Sequence, residues 1–313
     1  MFEKLGIMPI KIDLPFRLNH VNCFMAEGKD GWTIIDTGLN NAYTTKLWNE
    51  KIGDKEITDL FITHCHPDHF GNAGNLQKKT GARLSMSKID AATSIKTWSD
   101  EFIDGIQSNY IASGIPQEKA AKMVQNTAEF KPLVTPMPEI NHYFIDGEKV
   151  AIGNYEYEVI ITPGHSDGMV CFYNAEKSVL LSADHILPRI TPNISYWFHG
   201  DDNPLNSYIS SLENMKQLNV DFVIPSHGKP FHGANDRIDE IIKHHEERLE
   251  ETMAILVENS SVYDVFKRLF QFELTVHEMG FAVGETLSHL EYLRNTGDCE
   301  REKQDGKWIY FAN

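Results

Sequence analysis

Thr63-His64-Cys65-His66-Pro67-Asp68-His69 decides the reading of this chain. His64, His66, Asp68 and His69, all able to ligate a metal, fall within six positions. They directly follow Ile57, Leu60, Phe61 and Ile62, an apolar run that reads as a buried strand. Imidazole and carboxylate together suit zinc, iron or manganese, whereas calcium and magnesium prefer oxygen alone. His64 and His66 are two apart, so on an extended strand end they share one face. Pro67 disfavours helix for the residue before it, so the chain turns there and aims Asp68 and His69 at a different point. Two pairs aimed at two points suggest two metals.

Working outward, strands and helices alternate. Val21–Met25 and Trp32–Asp36 read as strands, Ala42–Ile52 as a helix, Gly71–Lys79 as a second helix and Ala82–Met86 as another strand, an α/β pattern. Between about residues 87 and 138 the pattern becomes helical, with Trp98, Phe102, Ile106 and Tyr110 at helical spacing, and this stretch is read as an inserted lid. Strands resume at Tyr155–Ile161, Val170–Tyr173, Val179–Leu181 and Phe222–Ile224. Asn203 and Pro204 open a helix between the last two. The expected division is a main domain over 1–233, a charged connecting helix over 234–260 and a small domain over 261–313. That tail reads as helix (Val262–Phe270), helix (from about Gly280 to Asn295) and hairpin turning at Asp305-Gly306, a winged-helix-like order.

Three further segments place donors at strand ends: Thr162-Pro163-Gly164-His165-Ser166, Ser182-Ala183-Asp184-His185 and Pro225-Ser226-His227-Gly228. With these the chain resembles the metallo-β-lactamase superfamily, whose T-H-x-H-x-D-H, P-G-H-S, S-A-D-H and S-H-G segments occur here in order. The resemblance runs from about Leu14 to Gly233 and implies a four-layer αββα sandwich with the metal site along one edge of its paired sheets. It further implies that His64, His66 and His165 hold one metal, that Asp68, His69 and His227 hold a second, and that Asp184 bridges them. The layout is most similar to glyoxalase-II-like hydrolases and to β-lactamase-like endoribonucleases. Asp184 stands where the commonest true β-lactamases have cysteine, and Leu187 follows it where acyl-homoserine lactonases carry tyrosine. His66 stands where flavodiiron proteins have glutamate.

The chemistry expected is hydrolysis of a small ester, thioester or lactone by a hydroxide between two zinc ions (iron or manganese being alternatives), with Asp68 and Asp184 as the catalytic carboxylates. His185 and His199 are candidates for protonating the leaving group, and His244 and His245, on the charged helix, are read as solvated. Residues 190–199 and the lid aromatics Trp98 and Tyr110 are candidate pocket walls. Competing readings are a metal-dependent endoribonuclease, an iron persulfide dioxygenase and a metal-retaining sensor without turnover.

A formal charge of −16 repels polyanions, and the tail carries six Lys/Arg against nine Asp/Glu, so a small acyl substrate is expected rather than nucleic acid. The tail is read instead as a docking element, with a homodimer through it as the expected assembly. No stretch is apolar for the ~20 residues of a membrane span, and Met1–Gly6 shows no start of a signal peptide. Cys23, Cys65, Cys171 and Cys299 form no CxxC pair, which fits reduced thiols in a cytoplasm.

Overall fold

Alternation of apolar side chains across consecutive positions sorts the first eleven strands of this chain into two stacked sheets. The computed structural model describes residues 2–256 and 259–313. A four-residue helix α1 (Phe2–Leu5) precedes the first sheet. That sheet takes its strands in chain order: β1 (Ile7–Asp13), β2 (His20–Glu27), β3 (Trp32–Ile35), β4 (Ile57–Phe61), β5 (Arg83–Ser87) and β6 (His142–Phe144). Pairing is antiparallel up to β3 and parallel beyond it. The parallel steps need crossovers. Helix α2 (Ala42–Ile52), capped by Asn41, supplies the first. The pair α3 (Pro67–Phe70) and α4 (Ala73–Thr80) supplies the second. The helix expected over Gly71–Lys79 is α4, starting two residues later; the unexpected α3 precedes it, with Pro67 at a first-turn position where its missing N–H costs nothing.

The second sheet runs β11-β10-β9-β8-β7, from β7 (Lys149–Ile152), β8 (Tyr155–Ile161), β9 (Val170–Asn174), β10 (Val179–Ala183) and β11 (Phe222–Pro225). Strands β9 and β10 are buried along their whole length. Even so, their two faces serve different layers. Val170, Phe172 and Leu181 meet Phe24, Ile35 and Phe61 of the first sheet, with Phe61 and Phe172 stacked at 5.8 Å. Cys171, Tyr173 and Leu180 face the opposite way, onto α8 (Pro204–Met215) and α9 (Ala234–Ile255). On the far side of the first sheet, Met25, Ile34, Leu60 and Leu84 pack under Trp48 of α2 and Leu76 of α4. Helix, sheet, sheet, helix is the expected four-layer αββα order.

The stretch after β5 holds α5 (Lys88–Thr97), α6 (Asp100–Ala112) and α7 (Gln117–Phe130). The C-terminal segment holds β12 (Ser260–Ser261), α10 (Val262–Leu269), α11 (Val276–Thr296), β13 (Cys299–Gln304) and β14 (Lys307–Ala312). Its sheet is ordered β12-β14-β13, and the hairpin turns at Asp305 and Gly306, both with positive φ as a two-residue turn requires. Helix α11 begins four residues before the expected start because Thr275 and Glu278 form a reciprocal capping box. The end expected for the charged helix near Glu258 lies outside the described residues. Ile106, Tyr110 and Met123 of the inserted helices share one apolar cluster with Val262, Phe266, Val283 and Leu287 of the tail. The insertion and the tail therefore close on each other above the edge of the sandwich.

Candidate metal centre

All seven expected ligands come together at the ends of strands from both sheets. His64 and His66 leave β4, Asp68 and His69 lie in α3, and His165, Asp184 and His227 follow β8, β10 and β11. Three overlapping groups have donor atoms within 4.8 Å of one another: His64, His66 and His165; His64, His69 and Asp184; Asp68, His69 and His227. Asp184 Oδ2 stands between the sets, 3.5 Å from His165 Nε2, 3.6 Å from His69 Nε2 and 3.2 Å from His227 Nε2. Two bends aim these groups. Asp36 (φ 58°) and Ala183 (φ 46°) both take the left-handed conformation, which disfavours residues with a Cβ and is concentrated at functional sites.

Neighbouring groups fix the imidazoles by their outer nitrogens. Asp36 accepts from Thr63 N–H (2.9 Å), from the Thr63 hydroxyl (2.9 Å) and from His69 Nδ1 (2.9 Å). Because the Thr63 hydroxyl donates to Asp36, His64 Nδ1 must donate to Thr63 Oγ1 at 3.0 Å. His165 Nδ1 donates to the Asn193 carbonyl (2.8 Å) and His227 Nδ1 to the His20 carbonyl (2.5 Å). With the outer nitrogens engaged in this way, the Nε2 atoms face inward, the orientation that metal-ligating histidines use. Asp90 of α5 ties the two ligand loops together. Its carboxylate accepts from Cys65 N–H (2.9 Å), Ser166 Oγ (2.7 Å) and Gly168 N–H (2.8 Å).

The cluster fits a cation. His69 Nε2, His165 Nε2, Asp184 Oδ1 and His227 Nε2 are buried without a hydrogen-bond partner. His64 Nε2 also faces His66 Nδ1 at 3.1 Å. Buried polar groups ordinarily find partners, and several orphans converging on one point call for a positive ion.

Residues 17–227 match the metallo-beta-lactamase superfamily, and residues 249–313 match the metallo-beta-lactamase-like C-terminal domain. The chain belongs to the metallo-beta-lactamase superfamily. A beta-lactamase domain protein from Burkholderia ambifaria is 30% identical, superposes with a TM-score of 0.87 and is matched over 98% of this chain and 92% of its own. The beta-lactamase-like protein 2 homolog of Caenorhabditis elegans is 25% identical over 251 residues, 79% of this chain and 69% of that protein. The hydroxyacylglutathione hydrolase of Ectopseudomonas mendocina is 22% identical over 151 residues, 48% of this chain and 40% of that enzyme. Members of the superfamily are typically metal-dependent hydrolases.

Electrostatics divides the two ligand sets of this superfamily member. Burial, then repulsion from neighbouring imidazoles, holds His64 well below the usual histidine range and brings His66 down to about 3, so both are neutral and ready to ligate. In the other set burial is outweighed. Asp68 and Asp184 raise His69, and Asp184 with Asp68 raises His227 to about 10, while these histidines hold both carboxyls below their usual range. Those protons neutralise the carboxylates, and a bound metal would displace them.

His66, Asp68, His165 and Asp184 open onto a cavity of about 670 Å³. Its walls include the expected Trp98, Tyr110, Trp197 and His199, but also Phe16 and Arg17 from the β1–β2 loop and Phe272, His277, Phe281 and Glu285 from the tail. Tyr196 and Phe198, expected in the same wall, pack instead against the tail's apolar cluster. His185 is fully buried against Tyr208 and lies outside the cavity, which removes it as a proton donor. His199 stays in place beside Thr97. The reading of His245 as solvated is corrected. It is buried, with Nδ1 3.2 Å from His289 Nε2, because the helix turns that face onto α11. Sequence reasoning missed Asp36, Asp90 and the tail's part of the wall. Asp36 closes a strand in an Asp-Thr-Gly turn, a usable signal; Asp90 and Glu285 look like ordinary helix-surface acids.

Proposed function

We propose that the chain is a metal-dependent hydrolase that cleaves a small ester, thioester or lactone. The observation that carries this is the junction of a seven-donor His/Asp cluster with a cavity in which Arg17 is the one Lys or Arg among the described residues. His64, His66 and His165 would hold one zinc ion and Asp68, His69 and His227 a second, with Asp184 shared. When bound, such ions supply an activated water and a Lewis acid for the acyl oxygen. The chain's own residues do the rest. Asp68 lines the cavity and is the carboxylate placed to orient the attacking water, while His199 and His277 face the space a leaving group would cross. Asp36, Asn193 and His20 keep ligand protons on the outer nitrogens. The hydroxyacylglutathione hydrolase relative supports an acyl substrate.

A polyanion is disfavoured by the −16 charge and by Arg17 being the one Lys or Arg of the cavity among the described residues. Four buried, unpaired cysteines support a reducing, cytoplasmic setting, and no helix among the described residues is long and apolar enough to cross a membrane. The assignment is tested on one preparation by elemental analysis together with a screen of aryl esters, acyl thioesters, lactones, phosphodiesters and structured RNA. Two metals per chain and acyl hydrolysis lost in Asp184→Ala are expected. Fast RNA cleavage with negligible acyl hydrolysis, also lost in Asp184→Ala, would overturn the reading, and one iron per chain with persulfide oxidation would replace it.

A further inference from the structure

Helix α11 carries two glycines one turn apart, Gly280 and Gly284, although glycine weakens a helix interior. They have different reasons to be there. A Cβ on Gly284 would meet Ser195 Oγ at 2.6 Å and Ser195 Cβ at 2.8 Å, so this glycine lets residues 193–196 lie against the helix, where Tyr196 N–H bonds to the Gly284 carbonyl at 3.0 Å. A Cβ on Gly280 would meet nothing within 4 Å, although the residue lines the cavity. The missing side chain at Gly280 leaves room in the cavity; it does not relieve a contact.

What would use that room is set by the walls. Beyond the ligand residues the apolar part of the wall comes from Ile106 and Met123 of the lid, Leu274 and Val276 of the tail, and aromatic rings, with uncharged polar groups such as Thr93, Asn126 and Thr127 and the acids Asp167 and Glu285 between them. Those rings are already engaged with one another. Phe130 and His277 stack at 4.8 Å with planes 7° apart, Phe16 stacks on Phe130 at 5.6 Å, and Trp197 meets Phe281 edge-on at 5.7 Å. Such pairs leave no open slot between parallel rings for a planar guest, whereas a flexible chain can follow the gaps between them. Arg17, the one Lys or Arg of the wall among the described residues, is largely exposed and lies 3.8 Å from Glu278, so among the described residues the interior offers no strong anion site beyond the metal cluster.

We propose that this cavity is an acyl-chain pocket: the substrate's acyl part is a flexible aliphatic chain of medium to long length, enclosed between the lid helices and α11, with Gly280 setting its depth. The proposal rests on the hydrolase reading for the chemistry at the cluster, but chain recognition is measurable without turnover. The volume of about 670 Å³ lies within the ~300–1,000 Å³ of small-molecule sites. Each methylene buried strengthens binding roughly fourfold.

The test uses the full-length, zinc-loaded protein and titrates a series of straight alkanoates from acetate to palmitate, with n-alkanols as uncharged counterparts. Tryptophan fluorescence reads the binding, since Trp98 and Trp197 line the cavity. Affinity is expected to climb about fourfold per methylene in both series and then level off. Gly280→Leu should make it level off several methylenes earlier, with thermal stability equal or higher. Gly280→Ala, which also strengthens the helix but fills little space, should keep the wild-type profile. Affinity independent of chain length, naphthoate binding tighter than decanoate, or an unchanged profile in Gly280→Leu would overturn the pocket. The same chains presented as thioesters separate the two claims. A rising binding series with no hydrolysis of any member would leave the pocket and overturn the hydrolase. Hydrolysis with no preference for chain length would do the reverse.

Discussion

Removing the Asp90 carboxylate should loosen both ligand loops at once, because one buried side chain of the lid holds them together. Its Oδ2 accepts from Cys65 N–H, between His64 and His66, and from the Ser166 hydroxyl beside His165; its Oδ1 accepts from Gly168 N–H. In Asp90→Ala the hydroxyl can rotate elsewhere, but the two backbone N–H groups cannot. Each orphaned buried donor costs about 1–3 kcal/mol, so the variant should lose roughly 2–6 kcal/mol. That is a large share of the ~5–15 kcal/mol that holds a typical domain together. Asp90→Asn is gentler. With its amide oxygen in the Oδ2 position it keeps Cys65 and Ser166 and turns its NH₂ against Gly168 N–H alone, a loss of about 1–3 kcal/mol. Metal affinity should separate the variants more cleanly. Asn keeps both ligand loops tied and should bind within a few-fold of wild type, while Ala frees them and should fall by about 10–100-fold, as loss of a supporting group around a metal does. Urea unfolding of the metal-free protein gives the first quantity, and competition with a chromogenic zinc chelator gives the second. An Asp90→Ala protein with native circular dichroism and wild-type metal affinity would refute the clamp.

Three further outcomes follow from the site and its surroundings. Asp184→Ala and Asp68→Ala should each abolish turnover while leaving the far-ultraviolet spectrum native, since neither side chain supplies core volume; near-wild-type activity in either would remove its catalytic role. Gly284→Val should destabilise by about 1–3 kcal/mol through the clash with Ser195, outweighing any gain in helix propensity, and it should also weaken metal binding, because the displaced segment carries the Asn193 carbonyl that orients His165; differential scanning fluorimetry with and without zinc reads both. Burial, reinforced in His245 by the charge of His289, pushes both histidines below 6.5. The unfolded chain therefore binds more protons below that pH, and stability should fall as pH drops beneath about 6.5, by up to ~1.4 kcal/mol per pH unit for each histidine. A His245→Leu/His289→Leu variant should show a shallower decline in urea unfolding curves; an identical decline would exclude the pair as its source.

The sandwich was legible because its signals are local. Alternation in Val170-Cys171-Phe172-Tyr173 gives the strand, and a donor follows each of β4, β8, β10 and β11 within a few residues. The convergence of the seven donors is legible for the same reason. What was not legible depends on residues distant in sequence. Asp90 bonds to Cys65 and Ser166, across separations of 25 and 76 residues, and nothing in Lys88-Ile89-Asp90 distinguishes it from a solvated helix acid. The docking reading of the tail rests on its acidic balance, which carries no information about which residues face the cavity. That Val276, His277 and Phe281 face the cavity depends on how α11 packs against α7, α8 and α9, which periodicity does not specify. His245 was misplaced for a related reason: a charged helix still has one buried face, and Ile238, Ile241 and His245 share it.

The ligands divide between two sheets, and this has a consequence for how the protein is made. His64 to His69 belong to the first sheet, while His165, Asp184 and His227 belong to the second. His227 is synthesised about 160 residues after His69, an interval of roughly 8–30 s at the ~5–20 residues per second of translation. Through that interval the nascent chain presents four of the seven donors, too few to enclose the proposed ions. If the proposed ions bind, loading would be completed only when the second sheet docks, and the ions would then staple the earlier and later halves of the chain together.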